Sequence, residues 1–291
     1  YPHVSATIID GKEIAGEIRT ALSARIAALR EQGVQPCLAA VLVGNDPASQ
    51  KYVNSKERSC AQLGIQGTVH RLPATTSQEE LRTLIAKLNA DAGVHGILVQ
   101  LPLPGGLDEK DIMERIAPEK DVDGFGPVSL GQLMLDQPGF LACTPHGVIK
   151  LLDASQVNPA GKHAVVIGRS VIVGKPLSML LLRKNATVTI CHSKTANLAE
   201  ICRSADILCV AIGKPGFITA DMVKEGAVVI DIGINVVTSG ALRGDVDFEQ
   251  VRQKASLLTP VPGGVGPLTI AMLMQNTVRA AEMHVRDKAQ K

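Results

Sequence analysis

Apolar residues recur along the chain with two alternating spacings. In the first long stretch they stand three or four positions apart, at Ile14, Ile18, Leu22, Ile26 and Leu29. This spacing predicts one amphipathic helix, because positions three or four apart share a helix face. Residues 37–43 instead form an unbroken apolar run of strand length. A regular alternation of such helices and buried strands is typical of parallel sheets covered by helices.

Local start signals extend this pattern through the first half of the chain. Asp46 before Pro47 predicts a helix N-cap followed by proline at the first helical position. Ser77 and Glu80 have the spacing of a capping box, which predicts a second helix start. The elements predicted for this half are helices at 14–29, 46–63 and 77–89 and strands at 37–43, 67–72 and 96–99. Their order predicts a mostly parallel sheet with helices on both faces.

The second half repeats the alternation after a stretch rich in proline and glycine. That stretch, 102–139, is the region where we expect the domain boundary. Thr144 and Pro145 predict the N-cap and first position of a helix that ends at Leu152. Further strands are predicted at 163–167, 187–190, 207–211, 227–231 and 256–258, and further helices at 174–184, 197–204, 220–224 and 268–283. We expect the long last helix to pack back onto the N-terminal domain.

Composition and charge exclude several classes of protein. Of the 291 residues, 45% are hydrophobic and 20% are charged, which is typical of globular domains. A net charge of +2 and an aromatic content of 2% argue against a nucleic-acid-binding surface. The chain has no apolar run of the ~18–20 residues that a membrane span requires.

Cysteine usage and the first residues predict a cytoplasmic protein. The six cysteines form no C-x-x-C pair, and we interpret them as reduced thiols, mostly in the core. Residues 1–10 lack the basic and apolar segments of a signal peptide. Histidines and cysteines with zinc-ligand spacing are absent, so no metal site is predicted.

A glycine-containing turn in the second half is a candidate phosphate-binding site. An apolar strand ends at Gly168, and a helix is predicted to begin near Gly174. Backbone N–H groups at such a helix start bind phosphate, because they lack intrahelical partners and lie at the positive end of the helix dipole. The segment departs from the usual G-x-G-x-x-G pattern, since Ser170 replaces the second glycine and the last glycine comes one residue late. A turn that needs glycine only for packing is the alternative.

The residues after the next strand indicate which dinucleotide would bind. NAD sites place an acidic residue there to hold the ribose 2′-hydroxyl, whereas NADP sites place positive charge. Residues 191–194 read Cys-His-Ser-Lys and include no acid. Ser193 and Lys194 can bond a phosphate, and Arg169 in the first turn can reach the same group. This pattern predicts NADP, with a solvated polar loop as the alternative.

The first half carries further candidate residues at strand ends and on one helix. Tyr52 and Lys56 stand four apart on a predicted helix and so share a face. Gln100 directly follows an apolar strand, where α/β domains place ligand-binding groups. Asp121 and Asp123 lie in a loop, where aspartates are more often turn-formers than catalysts.

A segment rich in proline and glycine, 259–267, precedes the last predicted helix. It holds three prolines and three glycines in nine residues, which indicates a stiff backbone that a flat ligand can approach closely. A connector between domains is the alternative interpretation.

At these residues the sequence resembles the bifunctional methylenetetrahydrofolate dehydrogenase/cyclohydrolase family. The matching segments appear in family order at 52–56, 96–104, 120–124, 143–145, 168–176 and 260–267. The resemblance implies oxidation of 5,10-methylenetetrahydrofolate to the methenyl form with NADP, followed by hydrolysis to 10-formyltetrahydrofolate. It also implies two α/β domains with a cleft between them: an N-terminal three-layer folate domain and a Rossmann-like NADP domain, usually in a homodimer.

The resemblance also implies roles for individual residues. Lys56 is the expected acid/base of hydrolysis and Gln100 the residue that orients it. Tyr52 is expected to pack on the folate and Asp123 to hold the pterin. The implied substrate-binding residues are Tyr52, Val99, Gln100, Leu101, Asp123, Pro262, Gly263, Gly264 and Pro267. The implied cofactor-binding residues are Gly168, Arg169, Ser170, Val173, Gly174, His192, Ser193 and Ile234.

The resemblance also implies where the domain boundaries lie. Residues 1–143 form the folate domain, completed by a C-terminal helix at 266–291, and residues 144–265 form the nucleotide domain. Two other functions stay open: another two-domain NADP dehydrogenase of the shikimate type, and a non-catalytic protein that binds NADP or folate.

Overall fold

A computed structural model describes residues 5–290 of the protein. Residues 1–4 and 291, at the outer ends of the predicted folate domain, lie outside the described residues. The strands are β1 (Thr7–Ile8), β2 (Cys37–Val43), β3 (Gln66–Leu72), β4 (Gly96–Val99), β5 (His163–Ile167), β6 (Thr187–Cys191), β7 (Ile207–Val210), β8 (Val228–Asp231), β9 (Asn235–Val236), β10 (Leu242–Arg243) and β11 (Leu257–Leu258). The helices are α1 (Gly11–Glu31), α2 (Pro47–Leu63), α3 (Gln78–Ala90), α4 (Glu109–Arg115), α5 (Pro127–Met134), α6 (Cys143–Ala154), α7 (Gly174–Arg183), α8 (Leu198–Arg203), α9 (Phe248–Val251) and α10 (Val265–Ala289).

The chain divides into two compact units. One unit, here the three-stranded unit, comprises Glu17–Leu141 and Ile270–Lys291. The other, the six-stranded unit, comprises the residues up to Gly16 together with Ala142–Thr269. The division falls within α1 and within α10, so each unit contains part of both helices. The predicted α/β class with parallel sheets in two domains is confirmed.

The three-stranded unit contains a parallel sheet in the order β3-β2-β4. Its central strand β2 is buried along its whole length, as expected for a strand covered by helices on both faces. One core cluster combines residues of this sheet with apolar side chains of α3 and α4, including Leu81, Ile85 and Ile112.

The six-stranded unit contains a sheet in the order β1-β11-β8-β7-β5-β6, in which all neighbouring strands run parallel. A short antiparallel ribbon, β9-β10, follows β8. The six-stranded sheet explains why the observed units differ from the domain boundaries expected from the sequence. Residues before Gly16 group with this unit, because Thr7 and Ile8 of β1 pair with β11.

Local start signals predicted several helices correctly. The Asp46 carboxylate accepts the Ser49 N–H at 2.8 Å at the start of α2. The capping box between Ser77 and Glu80 is present in both directions. These contacts satisfy N–H groups that a helix start leaves without intrahelical partners.

Other predictions of local structure were wrong. Thr144 is not an N-cap, because α6 begins at Cys143 after Ala142; its hydroxyl instead lies 2.9 Å from that of Thr269. Pro145 therefore sits deeper in the first turn, where its missing N–H costs no intrahelical bond. The helix predicted at 220–224 is a single 3-10 turn, Ala220–Met222. The stretch 102–139 contains α4 and α5 and belongs wholly to the three-stranded unit.

Candidate active site and nucleotide site

A lysine–glutamine pair marks the candidate site of the three-stranded unit. Lys56 lies in the middle of α2, and Gln100 follows the last residue of β4. Lys56 Nζ donates a hydrogen bond to Gln100 Oε1 at 2.9 Å. Gln100 is held at both ends: its backbone N–H donates to the Val41 carbonyl, and its Nε2 donates to the Leu101 carbonyl at 3.1 Å. The second bond directs the amide oxygen, and not the amide nitrogen, towards Lys56.

Tyr52 lies one turn before Lys56 on α2. Its side chain is 44% exposed, whereas the neighbouring Val53 is fully buried. The helix therefore buries its Val53 face and leaves the tyrosine ring accessible. An exposed aromatic ring one turn from a lysine suits a flat, partly apolar ligand.

The loop that carries Asp123 is anchored by the residues that precede it. Asp121 is buried and accepts bonds from the Gly126 N–H at 2.9 Å and the Ser129 hydroxyl at 2.7 Å. Lys120 Nζ donates to the Leu88 and Asp91 carbonyls at the end of α3. Of the two aspartates, Asp121 is thus the turn-former.

Burial and the neighbouring charge of Lys56 shift the pKa of the Asp123 carboxyl in opposite directions. Burial raises the pKa of the Asp123 carboxyl to about 6, the charge of Lys56 opposes this rise, and Asp121 adds to it. One further residue that supports this loop was not predicted from the sequence. Asn276, a buried polar residue within α10, donates to the Val122 carbonyl at 2.9 Å and to the Leu141 carbonyl at 3.1 Å. The contact agrees with the expectation that the last helix packs on the N-terminal half.

Val99 and Leu101 flank the glutamine. The Val99 side chain is 1% exposed, so any contact it makes with a ligand is through main-chain atoms. Leu101 is half-buried and precedes Pro102 through a cis peptide bond.

Two glycines form the turn between β5 and α7 in the six-stranded unit. Gly168 has φ +129°, and a Cβ there would lie 2.4 Å from the Ala211 carbonyl oxygen. A Cβ at Gly174 would lie 2.1 Å from the Gly168 carbonyl oxygen. Neither position has room for a side chain, so both glycines are required by close backbone contact.

Ser170 closes this turn from within. Its Oγ accepts the Val173 N–H at 3.1 Å and the Gly174 N–H at 3.4 Å. Its carbonyl accepts the Lys175 N–H at 3.0 Å. The serine in place of the second glycine thus bonds N–H groups at the end of the turn, whereas the N-cap residue of α7, Val173, has no side-chain cap. The side chains of Arg169 and Ser170 are exposed.

The residues after β6 lie beside this turn. Cys191, the last residue of β6, pairs with Ile167, and the Gly168 N–H donates to the Cys191 carbonyl. A tight turn follows, in which His192 accepts the Lys194 N–H on Nδ1 and donates its own N–H to Thr195 Oγ1. Ser193 and Lys194 are exposed at its tip.

These two neighbouring turns fit the phosphates of NADP. The first brings close-packed glycine backbone and the exposed side chains of Arg169 and Ser170 to one strand end, and its N–H groups at Val173, Gly174 and Lys175 are bonded within the turn by Ser170. Residues 191–194 beside it carry hydroxyl and ammonium groups without a carboxylate. Arg169 adds a guanidinium at the end of the adjacent strand. Among residues 5–290, no group of three or more His, Cys, Asp or Glu side chains is placed to hold a metal ion.

The proline- and glycine-rich segment before α10 is packed against the start of α1. Gly263 has φ +95°, and its carbonyl accepts the Gly11 N–H at 2.9 Å. A Cβ at Gly11 would lie 1.8 Å from the Gly264 carbonyl oxygen. Ile234, 44% exposed after β8, lies close to Gly266, since a Cβ there would be 3.7 Å from Ile234 Cδ1.

A parallel six-stranded sheet with this turn is the architecture of NAD(P)-binding α/β enzymes. Sequence comparison identifies the family. The chain belongs to the tetrahydrofolate dehydrogenase/cyclohydrolase family: its NAD(P)-binding domain matches residues 142–285 and its catalytic domain matches residues 9–123. The family expected from the motifs is therefore confirmed.

Several similar proteins align with nearly the whole chain. The bifunctional protein FolD of Thermodesulfovibrio yellowstonii is 57% identical over 97% of this chain and 99% of its own. The crystal structure of the FolD methylenetetrahydrofolate dehydrogenase/cyclohydrolase from Campylobacter jejuni is 49% identical, with a TM-score of 0.94, over 96% of this chain and 99% of that one. The Trypanosoma brucei enzyme, solved with NADP cofactor and inhibitor, is 39% identical, with a TM-score of 0.93, over 97% and 99%.

The shikimate-type alternative is not favoured by these comparisons. Shikimate dehydrogenase from Aquifex aeolicus is 12% identical, with a TM-score of 0.53, over 87% of this chain and 98% of that one. This likeness concerns the fold alone. No helix within residues 5–290 has the length and apolar character to cross a membrane.

Proposed function

We propose that the chain catalyses two consecutive reactions of one-carbon metabolism on one bound folate, with residues of the nucleotide turn holding the cofactor of the first reaction. The chain oxidises 5,10-methylenetetrahydrofolate to 5,10-methenyltetrahydrofolate with NADP and then hydrolyses the product to 10-formyltetrahydrofolate. The observation that carries this proposal is the 2.9 Å hydrogen bond from Lys56 to the oriented amide of Gln100, within a member of this family.

In the hydrolysis step, Lys56 transfers the protons. The methenyl carbon is cationic, so water can add to it once a base removes a proton from the water. Lys56 accepts that proton on Nζ, which the hydrogen bond to Gln100 Oε1 holds in place. The lysine then returns the proton to N5 as the carbon–N5 bond breaks, and the hydroxyl proton leaves to solvent. The formyl group stays on N10, and one proton is released in total.

Gln100 and Asp123 support this role in different ways. The Gln100 amide oxygen accepts the hydrogen bond of Lys56 Nζ and so fixes the direction of that amine. Asp123 holds the pterin by accepting hydrogen bonds from its ring N–H groups, and Tyr52 packs on the ring. Val99 and Leu101 contribute beside Gln100, and Pro262, Gly263, Gly264 and Pro267 contribute further substrate contacts.

The oxidation step requires alignment and no side-chain acid. The nitrogen lone pairs of the folate expel the hydride, and NADP, when bound, accepts it. The turn of Gly168, Ser170, Val173 and Gly174 binds the phosphates, and Ile234 contacts the cofactor after β8. Arg169, His192 and Ser193 form the site of the 2′-phosphate.

Arg169→Ala should raise the Michaelis constant for NADP at least tenfold, because it removes a charge-assisted contact to the 2′-phosphate. The constant for NAD, which lacks that phosphate, should stay nearly unchanged. Initial rates of methenyltetrahydrofolate formation with each cofactor measure both constants. Lys162→Ala, an exposed lysine at the start of the β5 strand, serves as the control and should change neither constant. Equal effects of Arg169→Ala on the two cofactors would refute the assignment.

The family resemblance further supports a homodimer in the cytoplasm. All six cysteines are free thiols buried in the protein, as is typical of a reducing compartment. The net charge of +2 supports small-molecule partners over nucleic acid. Light scattering of the purified protein should give twice the mass of 30.6 kDa, and a monomer mass would contradict the dimer.

A further inference from the structure

The fully buried carboxylate of Asp245 accepts hydrogen bonds from the loop that follows β7. Asp245, at 0% exposure, accepts the backbone N–H groups of Ile212, Gly213 and Lys214 at 2.8–3.1 Å. It also accepts Asn235 Nδ2 at 2.9 Å. Three successive N–H groups directed at one carboxylate determine the course of the loop, because hydrogen bonds to a charged acceptor are among the strong ones.

A second buried carboxylate joins the loop after β8 to the same structure. Asp231 accepts the N–H groups of Gly233, Asp245 and Val246 at 3.0–3.1 Å. Two glycines beside these carboxylates have no room for a side chain. A Cβ at Gly233 would lie 2.2 Å from the Asp245 carboxyl carbon, and one at Gly244 would lie 1.9 Å from Asp231 Oδ2. The loops after β7 and β8 are therefore joined to each other and to the β9-β10 ribbon by hydrogen bonds to two buried carboxylates.

The loop after β7 contacts the turn between β5 and α7 through Ala211. Ala211, the residue before the Asp245-bound loop, donates its N–H to the Ile167 carbonyl at 2.8 Å. Its carbonyl oxygen is the atom that a Cβ on Gly168 would meet at 2.4 Å. The position of the loop and the close approach at Gly168 are thus coupled through a single residue.

We propose that Asp245 is a positioning residue for the nicotinamide half of the NADP site. The proposal rests on the proposed function and extends it. Strands of a sheet lie about 4.8 Å apart, and the order β8-β7-β5-β6 places the Asp245-bound loops on the side of β5 away from β6. A dinucleotide whose 2′-phosphate lies at Arg169 and Ser193, by β5 and β6, extends with its other half over the ends of β7 and β8. Ile234, exposed in the second loop, lies there.

Asp245→Asn tests this assignment with two nucleotides. Asparagine keeps the size of the side chain, but its amide NH₂ faces N–H donors and cannot accept them, so at least one of the four hydrogen bonds is lost. Calorimetric titration should show NADP binding at least tenfold weaker. Adenosine 2′,5′-bisphosphate, which carries only the adenine half and the 2′-phosphate, should bind within twofold of the wild-type affinity. Arg169→Ala should weaken both ligands.

Two further variants separate positioning from stability. Asp206→Asn removes a carboxylate of the same unit at the opposite, amino end of β5 and β7, where it accepts the His163 N–H and Lys224 Nζ. Both affinities should stay within twofold. Asn235→Ala keeps the Asp245 carboxylate, removes one donor, and should weaken NADP alone, by roughly threefold. Asn235→Ala also carries the test if Asp245→Asn fails to fold.

The test of Asp245 and the test of the proposed function use different measurements, so a failure of one can be told from a failure of the other. Cyclohydrolase activity on supplied methenyltetrahydrofolate, which needs no nucleotide, should change by less than twofold in Asp245→Asn. Equal weakening of both nucleotides, selective loss in Asp206→Asn, or unchanged NADP binding in Asn235→Ala and Asp245→Asn would overturn the proposal. Failure of the wild-type protein to oxidise methylenetetrahydrofolate with NADP would instead refute the proposed function.

Discussion

Lys56→Met should lower the rate of methenyltetrahydrofolate hydrolysis by about 10²–10⁴-fold, the usual contribution of a positioned general base. Methionine keeps the length and the apolar stem of lysine but has no titratable nitrogen. Hydride departure needs no proton acceptor, so the variant should retain measurable dehydrogenase activity. Methenyltetrahydrofolate should therefore accumulate when the variant is supplied with methylenetetrahydrofolate and NADP, which its absorbance reports directly.

Two companion variants make this result specific. Lys51→Met introduces the same chemical change at an exposed position of α2 and should leave both activities unchanged. Gln100→Ala keeps Lys56 but removes the hydrogen-bond partner of its Nζ, and it should also depress hydrolysis. If Lys56→Met hydrolysed methenyltetrahydrofolate at the wild-type rate, Lys56 would be an ordinary helix lysine and the mechanism would be wrong.

Gly174→Ala should lower kcat/KM for NADP by roughly 5- to 150-fold. The added Cβ would meet the Gly168 carbonyl oxygen at 2.1 Å and the Gly168 carbonyl carbon at 2.4 Å, so backbone must move. Insertion of a carbon into close-packed structure costs ~1–3 kcal/mol, and each ~1.4 kcal/mol corresponds to tenfold in rate. The displaced part is the turn that binds the phosphates, so the loss should appear in the NADP-dependent reaction.

The control for this prediction is another glycine in the same unit. A Cβ at Gly16, within α1, would meet nothing within 4 Å, so Gly16→Ala should leave NADP kinetics unchanged. Alanine within a helix should also raise stability by roughly 0.5–1 kcal/mol, which thermal unfolding measures. Wild-type kinetics in Gly174→Ala would show that the turn tolerates a side chain and would remove the basis for its assignment.

Helix starts were predictable because their signals act over a few residues. Asp46 bonds an N–H three positions on, and Ser77 and Glu80 bond each other across one turn. Such contacts form wherever the helix forms, whatever surrounds it. The buried strands were predictable for a similar reason, since a parallel strand covered on both faces, such as β2, must be apolar throughout.

Predictions failed where distant residues decide the local structure. The stretch 102–139 has the proline and glycine content of a linker, yet it contains α4 and α5, and Arg82 of α3 donates to Asp111 of α4 at 2.8 Å. Thr144 has the residue type of an N-cap, but its hydroxyl bonds Thr269, 125 residues away. Propensity is overridden in both cases by contacts that residue spacing does not reveal.

The residue types and their places at strand ends were therefore determined by the sequence alone: a lysine on α2, a glutamine after β4, a glycine turn after β5 and a polar turn after β6. The tertiary structure decided which of these groups meet. Lys56 and Gln100 are 44 positions apart and come together because β4 pairs with β2 in one register, Val99 beside Val41. Asp245 binds a loop more than thirty residues earlier in the chain. A hydrogen bond of this kind depends on the packing of whole elements, because apolar burial brings the strands together and the polar groups at their ends then find partners within reach.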